Sequence, residues 1–177
     1  MTEIICAGFG GQGILTAGML LIHAGMKNGQ NVIFYPSYGS EMRGGTANCS
    51  VKISDKKIAS PVIRKADIVF TMNGPAIDKF EPMLKPGGLL LVNTSLVDEN
   101  RTYRDDIRVV KVPVTDIANE LENPRGANIA MLGALAASSD LFDPEFLLDQ
   151  INGYFEGRGR KIPANEACFR KGMEAAK

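Results

Sequence analysis

The sequence has no tryptophan, one histidine at His23, three cysteines at Cys6, Cys49 and Cys168, and no surplus of either charge, because 20 basic residues balance 20 acidic ones. Each scarcity removes a class of function. Without a cationic surplus there is nothing to displace counterions from a nucleic acid or to hold an anionic membrane, so neither partner is expected. Three scattered cysteines suit neither a disulfide framework nor the clustered thiolates of a zinc or iron–sulfur site, so no metal is expected on this chain and a reducing cytoplasm is the expected compartment. A solitary histidine in a helical stretch, with no second ligand or orienting base to name, reads as structural. The longest weakly polar run, residues 126–139, is too short to cross a bilayer, and Glu3 with the glycines after residue 7 interrupts the amino-terminal apolar stretch before it can resemble an export signal.

What is present is a chain of 177 residues, 45% of them hydrophobic and 19 of them glycine, long enough to bury a proper core. Residues 4–9 form a continuous apolar run ending in glycines, the pattern of a strand buried on both faces. Apolar residues at helical spacing follow from Ile14 to Met26, and Asn28-Gly29 supplies a left-handed stop. A second run at 31–35 completes a strand–helix–strand unit of the length a parallel crossover needs. Residues 36–45 have no period and read as a loop. Residues 46–54 and 58–60 read as a hairpin across the Ser54–Lys57 turn. Strands are then expected at 68–72, 89–93 and 109–112, with a helix at 76–84. Beyond Thr115 the chain is helical, at 117–121 with Thr115 or Asp116 as cap, at 128–138, from the Asp143-Pro144 start to Phe155, and at 165–175. The expectation is a single α/β domain over residues 1–177, Rossmann-like and three-layered, with a mostly parallel sheet, an inserted hairpin and a helical C-terminal third.

Gly8-Phe9-Gly10-Gly11-Gln12-Gly13 matches G-x-G-x-x-G between a strand and a helix. Such glycines let the chain turn, let a backbone approach a pyrophosphate and let the helix pack on the strand, while amides at the helix start face the anion. The same turn can also serve packing alone. Dinucleotide binding requires a carboxylate about 20 residues on, at the end of the second strand, to hold the ribose. From Ile14 to Ser40 there is no aspartate, glutamate or arginine, and Tyr35-Pro36 stand at that place. An NAD-dependent oxidoreductase acting alone is therefore disfavoured, and the turn suits a phosphate ligand whose ribose is read elsewhere.

Tyr38, Glu41, Arg43 and the Gly44-Gly45 pair lie in one irregular stretch after the second strand, readable either as a solvated loop or as an interface element. That stretch, the glycine turn, Asn48, Val51 and Ser54, Ile58-Ala59-Ser60-Pro61, Asn128-Ile129-Ala130-Met131-Leu132-Gly133, and Ile162-Pro163 with Asn165 together resemble the gamma subunit of the 2-oxoacid:ferredoxin oxidoreductases, essentially from end to end. The resemblance implies a non-catalytic subunit that works with alpha, beta and, in some members, delta subunits. It implies that coenzyme A is acyl acceptor and ferredoxin the electron acceptor reached through the complex. Thiamine diphosphate, magnesium and iron–sulfur clusters are implied on the partner subunits only; the sequence itself has no Gly-Asp-Gly leading to an asparagine for a magnesium diphosphate site.

By the same resemblance Gly8, Gly10, Gly11, Gln12 and Gly13 are assigned to the coenzyme's pyrophosphate and pantetheine path and Asn128 to a polar contact. Tyr38, Glu41, Arg43, Gly44 and Gly45 are assigned to the subunit interface. The sequence departs from the related domain in having Gly126 where that domain carries an arginine, with Arg125 one position away. The run Arg158-Gly159-Arg160-Lys161 reads as a solvated helix end or as a contact to the coenzyme's terminal phosphate. The rival function is a stand-alone nucleotide- or coenzyme A-binding regulatory domain using the same turn.

Overall fold

The computed structural model describes residues 1–38 and 46–176, with the backbone alone at Tyr38. Six strands form one sheet in the order β2-β3-β1-β4-β5-β6: β1 Thr2–Phe9, β2 Asn31–Tyr38, β3 Thr46–Ser54, β4 Ala66–Thr71, β5 Leu84–Asn93 and β6 Arg108–Val112. The β1–β4, β4–β5 and β5–β6 pairings are parallel, whereas β3 runs antiparallel to both β1 and β2. The helices are α1 Ile14–Lys27, α2 Gly74–Phe80, α3 Val114–Glu120, α4 Ala127–Ser138, α5 Pro144–Glu156 and α6 Pro163–Ala175.

Alternation along each strand divides the core in two. Ile4, Cys6, Cys49, Val51, Phe70 and Leu91 face one side, where α1 and α3 to α6 cover them. Ile5, Ala7, Val69, Leu90 and Val92 face the other, against α2 and the Ile63 segment. The result is the expected three-layered α/β fold with a mostly parallel sheet, five helices on one face and one on the other.

Three details differ from the sequence reading. The hairpin is β2–β3, with Asn31 opposite Ser54 and Tyr38 opposite Ala47, and residues 58–60 are not a strand. Consequently β1 and β2 are not neighbours, because β3 fills the gap between them. Pro36 to Tyr38, expected in a loop, belong to β2; proline is tolerated there because β2 is an edge strand and its missing N–H costs no ladder bond on the outer side. Finally, Thr115 and Asp116 do not cap α3, whose N-cap position is Pro113. Both are already inside the helix, where Asp116 N–H donates to Ser95 Oγ at 3.1 Å.

Local chemistry sets the helix ends. After α1, Gly29 takes φ 75° and its N–H reaches Met26 O at 3.0 Å while Gln30 N–H reaches Gly25 O at 2.9 Å, the paired bonds of a left-handed glycine stop. Asp143 caps α5 by accepting from Phe146 N–H at 3.0 Å, as expected from its place before Pro144. The closest helix contact is between α4 and α6, where a methyl group on Gly133 would strike the Phe169 carbonyl and one on Gly172 the Ala130 carbonyl. Gly172→Ala is therefore expected to destabilise the fold by about 1–3 kcal/mol. Gly153→Ala, which meets open space within α5, should stabilise it by about 0.5–1 kcal/mol. Urea denaturation midpoints measure both, and equal shifts of the same sign would contradict the packing account.

Candidate functional site

The glycine turn leaves β1 at the carboxyl end of the parallel strands, where β1 leads to α1 on one side and the β4–β5 pair lies on the other. In open α/β sheets such a divergence makes the crevice in which ligands bind. Gly8 is a packing glycine: an added Cβ would lie 2.6 Å from Gln12 Oε1 and 2.9 Å from Ile14 Cδ1. Gly11 and Gly13 are conformational, with φ of 96° and 72°. Gly13 is also a close-approach point, since its Cβ would come within 2.5 Å of Asn128 Nδ2.

Two side-chain amides hold the turn. Gln12 Oε1 accepts from Phe9 N–H at 2.7 Å and from Asn73 Nδ2 at 3.0 Å, and Gln12 Nε2 donates to Met72 O at 3.4 Å. From the other side Asn128 Nδ2 donates to Gly13 O at 3.0 Å. The Gln12 oxygen is thus occupied by the fold, while its amide nitrogen makes one long bond and keeps a second hydrogen. Asn128 is different: its Oδ1 is buried and meets no donor among the described residues.

Behind Gln12 the ends of β4 and β5 are joined by asparagines that sequence reasoning missed. Asn73 Oδ1 caps α2 by accepting from Ala76 N–H at 3.0 Å. Asn93 Nδ2 donates to Met72 O at 3.1 Å and to Thr115 Oγ1 at 2.9 Å. Their one visible signal was position, each ending an apolar strand run immediately before a helical turn.

Beside the turn lies a cavity of about 490 Å³. Gly11, Gln12, Gly13, Thr16 and Asn128 line it together with Arg125 and Arg160, and Met72, Leu96, Ile129, Phe155 and Ile162 supply apolar wall. The structure therefore gathers four of the six residues assigned to the ligand from sequence, while Gly8 and Gly10 are not among its walls. No carboxylate is found among the described wall residues, and Arg125 and Arg160 are both exposed. The amino-terminal ends of α1, α4 and α6 converge here, none with a side-chain cap. Among the described residues no acceptor meets the Ile14, Leu15 and Thr16 amides. The free α1 amides and two guanidiniums, with no acid among the described wall residues, suit a polyanion.

An arginine at Gly126 would require the Asn123 and Cys168 side chains to shift, because its Cβ would lie 2.5 Å from Asn123 Nδ2 and 2.6 Å from Cys168 Sγ. The neighbouring Arg125 lines the cavity. The insertion of β3 also accounts for the missing ribose acid: the end of β2 is separated from the turn by a whole strand, and Tyr35 stands exposed on β2.

Residues 39–45, carrying Glu41, Arg43, Gly44 and Gly45, and the side chain of Tyr38 lie outside the described residues; the Tyr38 backbone ends β2 opposite Ala47. Cys6, Cys49 and Cys168 are buried and unpaired. Hydrogen bonding to Cys49 and then burial push the Cys6 thiol well up, and burial raises that of Cys168. These are core thiols with little nucleophilic character. His23 packs edge-on against Tyr154, ring centroids 5.5 Å apart; burial, Lys27 and Arg158 lower its pKa.

A family profile for pyruvate ferredoxin/flavodoxin oxidoreductases matches residues 3–175. The chain belongs to this family. It is 36% identical over 172 residues to the ketoisovalerate oxidoreductase subunit VorA of Methanothermobacter marburgensis, covering 97% of this chain and 36% of that one, so it spans about a third of that relative's length. Its fold is similar to the gamma subunit of a keto/oxoacid ferredoxin oxidoreductase from Geobacter sulfurreducens, with TM-score 0.82, 27% identity and coverage of 99% of this chain and 98% of that one. It is similar also to the 2-oxoglutarate:ferredoxin oxidoreductase of Magnetococcus marinus, solved with 2-oxoglutarate, coenzyme A and succinyl-CoA bound, with TM-score 0.87, 25% identity and coverage of 99% and 31%.

The brace on this oxidoreductase-family turn is testable. Gln12→Ala removes the acceptor of the Phe9 amide and of Asn73, an expected loss of about 1–3 kcal/mol. Gln12→Glu, which keeps an acceptor at Oε1, should lose less. Denaturation midpoints with amide exchange at Phe9 measure this; an unchanged Phe9 exchange rate in Gln12→Ala would contradict the brace.

Proposed function

We propose that this chain is the gamma-type subunit or domain of a 2-oxoacid:ferredoxin oxidoreductase, over residues 1–177, and that it forms the coenzyme A-binding wall of the assembled enzyme. The assembly converts a 2-oxoacid, coenzyme A and oxidised ferredoxin to acyl-coenzyme A, carbon dioxide and reduced ferredoxin. The carrying observation is the cavity, without a carboxylate among its described walls, in which Arg125, Arg160 and the free α1 amides lie beside the braced turn. Coenzyme A has the matching chemistry, with a pyrophosphate and a ribose phosphate to neutralise and a long arm that alternates amides with apolar carbon. The coenzyme A recorded with the Magnetococcus relative supports the same reading.

In this assignment the α1 amides and the two guanidiniums hold the phosphates. Asn128 Oδ1, buried and without a donor among the described residues, accepts an N–H of the pantetheine arm, which offsets the desolvation cost of that acceptor. Met72, Leu96 and Ile129 cover the arm's carbon atoms. Gly8 supports the site by packing, and Gly10 belongs to the turn's path. The thiamine diphosphate, magnesium and iron–sulfur clusters are assigned to alpha, beta and delta-type partners, and these supply decarboxylation and electron transfer. Tyr38, Glu41, Arg43, Gly44 and Gly45 are assigned to the contact with those partners. Among the described residues no helix is long and apolar enough to cross a membrane, and core thiols suit the reducing cytoplasm proposed for the enzyme.

Calorimetric titration tests the site. Coenzyme A should bind in preference to NADH and ATP, and Arg125→Ala and Arg160→Ala should each weaken it about tenfold, the loss of one charge-assisted phosphate contact. Unchanged affinity in both variants, or tight NADH binding without coenzyme A binding, would overturn the assignment and favour a separate nucleotide-sensing domain. The isolated chain is expected to oxidise no 2-oxoacid and to restore turnover when its partners are added; Arg43→Ala should weaken that assembly on gel filtration. Turnover by the chain alone would contradict the subunit reading.

A further inference from the structure

The connection from β3 to β4 crosses the amino-terminal end of the parallel strands, at the opposite end of the sheet from the glycine turn. Its course is set by two anchors. Ile63 is buried against the α2 face of the sheet. Lys52, only 4% exposed, donates from Nζ to Val62 O at 2.7 Å. With its carbonyl held by Lys52, Val62 turns its side chain outward and is 60% exposed.

The charge around Val62 is one-sided. Glu3 is matched by Lys52 at 2.9 Å and Lys85 at 3.3 Å, and Asp67 by Lys85 at 2.7 Å, so these four groups cancel. Arg64 and Lys65 are then left over. They share with Glu3, Ser60, Val62 and Lys85 a shallow groove of about 510 Å³. Lys65 Nζ spends one donor on Pro82 O at 3.0 Å, while Arg64 makes no ion pair among the described residues. Lys56 and Lys57, exposed and also without an ion pair among the described residues, lie on the same connection, where Asp55 offsets one of them. In a chain of zero net charge Arg64 and Lys65 are a local excess, and they share the groove with an exposed apolar side chain.

We propose that this groove is a docking surface for an acidic protein partner, one that presents several carboxylates around an apolar side chain that packs on Val62. An apolar centre within a polar rim is the anatomy of a protein interface, and the rim charges select a partner of opposite sign and speed its arrival. A small anion has no use for Val62. Nucleic acid would require a basic surface more extended than four side chains beside a buried ion-pair cluster. The surface and the coenzyme A cavity lie at opposite ends of the strands, so a partner bound at one leaves the other open. The inference does not rest on the coenzyme A reading.

The full chain is tested by fluorescence anisotropy with a labelled peptide that places Asp and Glu on both sides of a central Leu. Binding should be measurable at low ionic strength and fall as salt is raised. Arg64→Glu/Lys65→Glu should weaken it about tenfold or more, and Val62→Ser should weaken it with its salt dependence unchanged. Lys171→Glu on α6 should leave it as it was. The thermal midpoint and coenzyme A affinity of the charge-reversed chain show whether it has kept its fold; if it has not, the Val62→Ser comparison decides alone. The proposal is overturned by absence of peptide binding, by equal binding to wild type and to a folded charge-reversed chain, by indifference to Val62→Ser, by competition from inorganic phosphate at equal charge, or by tighter binding of a short single-stranded oligonucleotide.

Discussion

Two side-chain amides grip the glycine turn from opposite sides, and the rest of the site depends on them. Gln12 ties the turn to the ends of β1 and β4, and Asn128 ties it to the start of α4. Between them they place the first turn of α1 beside α4, and α4 in turn is locked to α6 through the close approach at Gly133 and Gly172. Arg125 and Arg160 stand 35 positions apart in sequence and reach one cavity through this packing. The cavity follows from helix contacts, and its charge follows from the helix starts those contacts bring together.

The asymmetry of the Asn128 amide links the structural and chemical roles of the site. One half of the group is spent on Gly13 O, and the other is buried without a donor. An acceptor buried without a protein donor carries a desolvation cost until a water or a ligand supplies one. Gln12 is the contrasting case, because its oxygen accepts two hydrogen bonds within the protein. Two amides that look equivalent in the sequence therefore divide into one whose oxygen is satisfied within the turn and one whose oxygen is left without a donor among the described residues.

The local parts of this arrangement were legible in the sequence. Residues 4–9 are apolar without interruption, the glycines follow at once, and α1 keeps its helical period up to Asn28-Gly29, so every signal lies within a few residues of the structure it sets. Strand pairing was not legible. The chain from 46 to 54 alternates equally well whether it pairs with 58–60 or with 31–38, and the choice is made by long-range contacts such as Cys49 against Cys6 and Gly18. That choice puts β3 between β1 and β2, which explains physically why no ribose acid stands at Tyr35. Asn73 and Asn93 escaped notice for the same reason, since an isolated asparagine reveals its role only when its partners from other strands are in place.

The most direct test is hydrogen–deuterium exchange of the full chain with and without coenzyme A, read at single amides. The account predicts slowed exchange at Ile14, Leu15 and Thr16 and at the start of α4, with the β3–β4 connection unaffected. Exchange at the first turn of α1 that is identical with and without saturating coenzyme A, or protection confined to other parts of the chain, would contradict it.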